Sequence, residues 1–232
     1  MNAEQIIKYI SEAEKKTKVK VYVRWRKGKG IWPESCKVFS GTDQIVIGDW
    51  KEIEPVLIEY ADRIEDLEVE CYCRNSGIPL LDIRETEARI EPGAIIREKV
   101  HIGRNAVIMM GAIINIGASV GDETMIDMGA VLGGRAIVGA RCHIGAGAVL
   151  AGVIEPVSAT PVIVEDDVVV GANAVLIEGV HIGKGAVIAA GSTVISDVPA
   201  GMVAAGVPAR IIKAKDSITR NKTAIAQELR NI

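Results

Sequence analysis

The side chains best suited to acid–base or metal chemistry are three histidines, His101, His143 and His181. Each directly precedes a large aliphatic residue, so a strand that buries the aliphatic side chain turns the imidazole outward. A catalytic zinc site takes three protein ligands, but no two of these histidines lie close together in the sequence. We therefore expect no metal. His143 is the candidate general base because it is nearest in sequence to the chain's one irregular segment.

That irregular segment, residues 153–162, interrupts a period of six. The repeat begins with eleven consecutive aliphatic positions: Ile90, Ile96, Ile102, Ile108, Ile114, Val120, Ile126, Leu132, Val138, Ile144 and Leu150. It resumes at Val164 and continues to Val194. Val164 follows Leu150 by 14 residues, where two hexads would take 12. A break in an otherwise strict repeat is typically functional.

The elements that must position these residues follow from the period. A second, mostly small residue lies four positions after each large one, as at Ala94, Ala106 and Ala130. A period of six matches neither an α-helix nor an isolated strand, but it is typical of a coil of three short strands around a shared core. Seventeen hexads predict about six coils. The residues after the large positions, such as Gly103, Asn115, Gly121 and Asp127, are expected to turn each corner with positive φ.

The ends of the chain differ from this repeat. All eight aromatic residues lie within the first 72 positions, which predicts a separate N-terminal α/β cap over residues 1–85. In it we expect a helix after Asn2, a strand at Lys18–Arg24 and a helix over Trp50–Leu67. The coil covers residues 86–210, including the inserted loop, and has an irregular exit after Asp197. Residues 211–232 form a tail with one helix over Asp216–Asn231.

Composition restricts the class of protein. The net charge of −3 does not favour nucleic acid as a partner. No segment offers about 20 apolar residues, and Met1–Ile10 lacks a signal-peptide core, so neither a membrane span nor export is expected. Four cysteines without disulfide-scaffold spacing are typical of reduced thiols. These observations predict a cytoplasmic protein.

The hexads and the exit Ala205-Gly206-Val207-Pro208-Ala209-Arg210 resemble the left-handed parallel β-helix acyltransferases, whose acyl donor is a thioester. Four stretches are similar to the tetrahydrodipicolinate N-acyltransferases: residues 89–94, 107–112, 123–128 and 152–156. The cap and residues 74–79 resemble the acetyl-specific branch. The resemblance implies acetyl-CoA-dependent N-acetylation of tetrahydrodipicolinate in diaminopimelate and lysine biosynthesis, by a homotrimer acting on a small dicarboxylate.

The resemblance also implies roles for individual residues. Asp127 matches an aspartate that holds the substrate amine, although an aspartate there can also serve only the corner. Glu155 matches a loop glutamate that acts as base or orients water, and Arg89 matches an arginine that contacts a substrate carboxylate. Small residues must let the pantetheine arm of coenzyme A lie along the coil, and cations must meet its phosphates. The candidates are Gly171, Ala172, Lys184, Ala189, Ala190, Gly206, Arg210 and Lys213.

Two alternatives remain open at this level. The same coil carries acetyltransferases for sugars or amino acids that use a catalytic histidine, which His143 would supply. A structural subunit of the repeat class would bind no coenzyme A. The choice between acetyl and succinyl donors depends on the resemblance of the cap.

Overall fold

The structure is a computed structural model that describes residues 1–230. The chain divides into two compact units, one of residues 12–78 and a larger one of residues 1–11 together with residue 79 onward. The first helix, α1 (Ala3–Glu12), therefore lies mostly in the larger unit. Asn2 caps this helix, because the Asn2 Oδ1 atom accepts a hydrogen bond from the Gln5 amide at 2.8 Å. Ile6 of α1 is fully buried, and its side chain packs over Gly117 of the coil.

The smaller unit is an antiparallel sheet with one helix. The strands are β1 (Lys18–Trp25), β2 (Lys37–Ser40), β3 (Asp43–Asp49) and β4 (Ile64–Cys71), in the order β2-β3-β1-β4, and the helix is α2 (Trp50–Glu59). Alternate residues of β1, from Val19 to Val23, pack in the core with Ile53 of α2. The predicted helix over Trp50–Leu67 is wrong beyond Glu59, because Ile64–Cys71 pairs with β1 instead.

The larger unit is a parallel β-helix, as predicted. Within residues 1–230, seventeen two-residue strands, β5 to β21, stack into three parallel walls. Wall 1 contains β5 (Arg89–Ile90), β8 (Val107–Ile108), β11 (Met125–Ile126), β14 (His143–Ile144), β17 (Val169–Val170) and β20 (Val187–Ile188). Wall 2 contains β6 (Ile95–Ile96), β9 (Ile113–Ile114), β12 (Val131–Leu132), β15 (Val149–Leu150), β18 (Val175–Leu176) and β21 (Thr193–Val194). Wall 3 contains β7 (His101–Ile102), β10 (Ser119–Val120), β13 (Ile137–Val138), β16 (Ile163–Val164) and β19 (His181–Ile182).

Each strand gives its second residue to the core and its first to the outer face. Ile126, Leu132 and Val138, one from each wall, are all at most 2% exposed, and the small residues of the second track fill the gaps between them. The rare polar members of that track are satisfied internally. The Thr124 hydroxyl donates to the Gly139 carbonyl at 2.6 Å and accepts from the Cys142 amide at 2.9 Å. Burial raises the pKa of the Cys142 thiol to about 11, so this cysteine behaves as a small apolar residue.

The reason predicted for glycine at the corners is wrong. Positive φ falls three residues after most of the large positions, as at Asn105, Glu123 and Gly129. Corner glycines are required instead because the backbones of consecutive coils approach closely there. A Cβ added to Gly121 would lie 2.5 Å from the carbonyl carbon of Gly139.

The inserted loop is longer than the offset between the two hexad registers suggested. Twelve residues separate Leu150 from Ile163, whereas four separate Ile144 from Val149. Ile163 pairs directly with Ile137 of the preceding coil, so the loop adds eight residues at one corner, between wall 2 and wall 3. The Arg135 guanidinium holds the loop by donating to the carbonyl oxygens of Val153 and Ala159, at 3.4 and 3.2 Å.

The exit from the coil is regular, contrary to prediction. Strand β22 (Met202–Gly206) continues wall 1 beside β20 and turns back into the antiparallel strand β23 (Ala209–Ala214). The prediction of a single C-terminal helix is also wrong within the described residues. There, α3 (Ser217–Lys222) is followed by a turn and by a 3-10 helix at Gln227–Arg230. Residue 231, the predicted end of that helix, lies outside the described part.

Candidate active site

Asp127 and His143 meet on wall 1. His143 is the outward residue of β14, which pairs with β11, and Asp127 directly follows β11 at the corner. The His143 Nε2 atom lies 3.9 Å from the Asp127 Oδ2 atom. This distance is too long for a direct hydrogen bond but close enough for strong electrostatic coupling. A polar group placed between the two side chains would contact both.

The two carboxylate oxygens of Asp127 have different tasks. The Oδ1 atom accepts a hydrogen bond from the Met128 amide at 2.8 Å, and Asn115 makes the same bond to Ile116 at an equivalent corner of wall 2. Among residues 1–230, neither of these two corner residues has positive φ. The hydrogen bond from Met128 therefore engages Oδ1 of Asp127 in the corner, while Oδ2 faces His143.

His143 is held in a form suited to accept a proton. Its side chain is 33% exposed, and burial lowers its pKa. The Asp127 carboxylate acts in the opposite direction and Arg230 adds to the lowering. The net result is a pKa below the usual value, so the imidazole is neutral at neutral pH. A neutral imidazole beside a carboxylate is the arrangement that general-base chemistry requires.

A cavity of about 430 Å³ opens beside this pair. One side consists of wall 1 and its corner, including Met125, Asp127 and His143. The other side consists of the C-terminal segment, which we define as residues 222–230. Its Ile225 and Leu229 line the cavity, as do Lys222 and Arg230. The site is thus a polar pair within a largely apolar enclosure, as is typical of small-molecule sites.

Four of the predicted coenzyme A residues lie on the same edge as Asp127, in later coils. Gly171 and Ala172 line the cavity with Asp127. Ala189 and Ala190 occupy the next corner along this edge, where a Cβ on Gly171 would lie 2.4 Å from the Ala190 nitrogen. Gly145 lies between Asp127 and these four residues. In the coils that follow Asp127, this edge therefore carries only small side chains at its corners.

The other predicted coenzyme A residues are dispersed. Lys184 lies at a corner after wall 3, 3.6 Å from the Asp167 carboxylate. Gly206 and Arg210 flank the turn between β22 and β23, and Arg210 lines a separate cavity. Lys213 on β23 pairs with Asp216 at 2.7 Å, and this contact lowers the pKa of Asp216.

Glu155 and Arg89 do not line the Asp127–His143 cavity. Glu155 is exposed in the inserted loop and lines a shallow cleft of about 410 Å³ with Asn115, at a corner after wall 2. Arg89 lies on wall 1, three rungs from His143, which is about 14 Å at the usual strand spacing. Arg89 pairs with Glu91 at 3.2 Å and donates to the Leu229 carbonyl at 3.0 Å.

Sequence reasoning missed the C-terminal side of the cavity. The predicted helix over Asp216–Asn231 gave no reason for Ile225 and Leu229 to line a cavity, and Arg230 carried no signal because one of its partners, the Glu123 carbonyl, is 107 residues away in the chain. Met125 was visible as part of the repeat but not as a lining residue. Among the described residues, no group of three or more histidine, cysteine or acidic side chains has the arrangement of a metal site. Every helix within residues 1–230 is too short or too polar to span a bilayer.

A three-walled coil of hexapeptide repeats, with a polar pair on one edge and small residues above it, defines the class of hexapeptide-repeat acyltransferases. Family models agree with this class. The model described as "Tetrahydrodipicolinate succinyltransferase N-terminal" matches residues 1–83. The "Hexapeptide repeat of succinyl-transferase" model matches residues 100–133 and 161–196.

Full-length relatives are more specific. A protein from Geobacillus sp. (strain WCH70) is 63% identical over 100% of this chain and 99% of that protein. One from Brevibacillus brevis is 61% identical over 100% and 99%, respectively. Both are named 2,3,4,5-tetrahydropyridine-2,6-dicarboxylate N-acetyltransferase. The chain therefore belongs to the tetrahydropyridine-dicarboxylate N-acetyltransferase family.

A solved structure of PerB from Caulobacter crescentus in complex with CoA and GDP-perosamine is also similar. It is 31% identical with a TM-score of 0.47, over 53% of this chain and 57% of that chain.

Proposed function

We propose that this chain transfers the acetyl group of acetyl-CoA to the amine of ring-opened tetrahydrodipicolinate. The product is N-acetyl-2-amino-6-oxopimelate, in the route to diaminopimelate and lysine. The structural observation that supports the proposal is the His143–Asp127 pair, which lines a partly open cavity beside an edge of small residues. The names of the full-length relatives supply the substrate.

The proposed reaction assigns tasks to this pair. Water opens the cyclic imine to an amino-keto dicarboxylate. The Asp127 carboxylate positions the resulting neutral amine by accepting a hydrogen bond from its N–H group. The amine nitrogen attacks the thioester carbon, and the neutral His143 imidazole accepts the proton that the nitrogen loses. The C–S bond then breaks, and the coenzyme A thiolate takes up the proton.

The edge above Asp127 is the proposed course of the pantetheine arm. Gly145, Gly171 and Ala189 are the successive corner residues along it, and a thin, flexible chain can lie against such corners. The roles of Lys184, Gly206, Arg210 and Lys213 in coenzyme A binding stay predictions.

We propose a homotrimer in which a second copy brings Glu155 to the site. The outer face of wall 2 supports an interface between copies, because it carries aliphatic residues in five successive coils. Ile95 and Ile113 on this face are 47% and 42% exposed in the single chain, which is typical of an interaction surface. Glu155 projects from the corner at the far side of that wall. A cytoplasmic location accords with acetyl-CoA as donor.

The names of the similar proteins disagree on the acyl donor. The matching family models are described as succinyltransferase, whereas the full-length relatives are named acetyltransferases. We propose acetyl because those relatives match the whole chain. The test is release of the coenzyme A thiol from acetyl-CoA, measured with and without tetrahydrodipicolinate, with the product identified by mass spectrometry. Thiol release that does not depend on tetrahydrodipicolinate would contradict the proposal.

One other candidate function rests on the same pair. An acetyltransferase for a sugar or an amino acid that relies on a catalytic histidine would also use His143 beside Asp127. In that case His143→Ala would abolish turnover of the true substrate, while Glu155→Ala would have a mild effect.

A further inference from the structure

The C-terminal segment brings a buried guanidinium to the cavity. Arg230, the last described residue, is only 3% exposed, although arginine is rarely buried without a charged or ligand partner. It lines the same cavity as Asp127 and His143. A positive charge thus lines the same cavity as the proposed reacting groups, on a segment outside the coil.

The hydrogen bonds of Arg230 leave one nitrogen without a partner. Its Nε atom donates to the Glu123 carbonyl at 2.7 Å and its Nη1 atom to the Ala226 carbonyl at 3.0 Å. The Nη2 atom is buried and has no acceptor among residues 1–230. A buried polar group without a partner costs free energy, and Arg230 lines the cavity, so a bound ligand whose acceptor reached Nη2 would remove that cost.

Arg89 fixes the position of this guanidinium from outside the cavity. Its Nη2 atom donates to the carbonyl of Leu229, the residue before Arg230, and its Nη1 atom pairs with Glu91. Two of the Arg89 nitrogens therefore have partners among the described residues, while its buried Nε atom has none. Arg89 is placed to hold the C-terminal turn against the first rung of wall 1.

We propose that Arg230 binds the substrate carboxylate on the carbon that bears the reacting amine, with Arg89 as a positioning residue. The proposal rests on the function proposed above and deepens it. In the ring-opened substrate an amine and a carboxylate share one carbon, so their recognition needs an acid and a cation in one cavity. Asp127 and Arg230 provide this combination. A phosphate of coenzyme A would present similar chemistry, but it lies a pantetheine length from the thioester that must reach the amine.

The test compares Arg230→Gln and Arg230→Lys with a matched control, Arg220→Gln, which removes an exposed arginine of α3. For Arg230→Gln we expect the KM for tetrahydrodipicolinate to rise about 10- to 100-fold, the range for a hydrogen bond to a charged group. The KM for acetyl-CoA stays within twofold. Arg230→Lys retains the charge but not the planar fork and gives an intermediate value.

Calorimetry measures binding without turnover. It is done with pimelate, an unreactive seven-carbon dicarboxylate, and separately with coenzyme A. Weaker pimelate binding by Arg230→Gln with unchanged coenzyme A binding supports the proposal. An unchanged dicarboxylate KM and pimelate affinity would overturn it while leaving the acetyltransferase function intact. Weakened coenzyme A binding instead would assign Arg230 to a phosphate and would also overturn it. If the wild-type chain shows no turnover, the proposed function fails, and the pimelate comparison still decides the role of Arg230.

Discussion

The His143 Nε2 atom lies 3.9 Å from the Asp127 Oδ2 atom, across two adjacent rungs of the same wall. The register of the β-helix sets this relationship, because Met125 and His143 are paired residues and Asp127 follows Met125 by two positions. The corner bond from Met128 then fixes the carboxylate orientation. A candidate acid–base pair thus arises from repeat geometry alone.

The pKa of His143 should respond in opposite directions to two neighbouring substitutions. Asp127→Asn removes a charge that raises the pKa, so the pKa falls further. Arg230→Gln removes a charge that lowers it, so the pKa rises. NMR titration of the His143 ring protons measures both shifts. Because the neutral imidazole is the active form, the acid limb of the kcat/KM profile moves to lower pH in the first variant and to higher pH in the second. His101 serves as an internal reference, and shifts of both variants in the same direction would contradict this assignment.

Glu155→Gln should lower kcat by about 100-fold or more, the lower range for loss of an acid–base group. The matched control is Glu178→Gln, which neutralises an exposed carboxylate at the next corner along the same edge of the coil. The control should stay within twofold of the wild type. Near-normal turnover by Glu155→Gln in steady-state assays would remove this residue from the mechanism.

Mixing two impaired variants should restore activity. Glu155 and Asp127 line separate cavities in one chain, so the proposed trimer unites them only between copies. We expect that co-refolded Asp127→Asn and Glu155→Gln chains form some sites with both native carboxylates, and that turnover recovers to a substantial fraction of the wild-type rate. Each variant refolded alone is the control. A mixture that is no more active than its components would argue against a shared site.

Two glycine positions should respond differently to substitution, although both belong to the turns of the coil. Gly121→Ala places a Cβ 2.5 Å from the Gly139 backbone and should destabilise by about 1–3 kcal/mol or more through overpacking. Gly129→Asn has no heavy atom within 4 Å of the new Cβ, and asparagine already adopts positive φ at the equivalent Asn105. Its cost should remain below about 1 kcal/mol. Thermal unfolding at one protein concentration compares the two, and equal losses would contradict the close-approach explanation.

Most of the β-helix was predictable because its rule is local. The large residue at every sixth position and the small residue four positions later identify the side chains that face the core. Ile126 and Ala130, for example, are both fully buried. The cause of the corner glycines was not predictable in this way. Whether Gly121 needs positive φ or needs space depends on how closely the next coil stacks, and that distance is a property of the assembled walls.

The candidate site was predictable only in part. Asp127 and His143 were each identified in the sequence, but their pairing depends on strand register between coils. The C-terminal turn escaped prediction because Arg89 and Arg230 hold it in place through contacts with distant backbone carbonyls. The helix expected over Trp50–Leu67 failed for a similar reason, since pairing of β4 with β1 overrides the helical spacing of its aliphatic residues.

The most direct test of the proposed function compares kcat/KM for acetyl-CoA and succinyl-CoA with tetrahydrodipicolinate as acceptor. Release of the coenzyme A thiol measures the rate. The account predicts acetyl transfer that requires the acceptor and a kcat/KM for acetyl-CoA at least tenfold above that for succinyl-CoA. Equal or faster succinyl transfer, or no transfer from either donor, would contradict it.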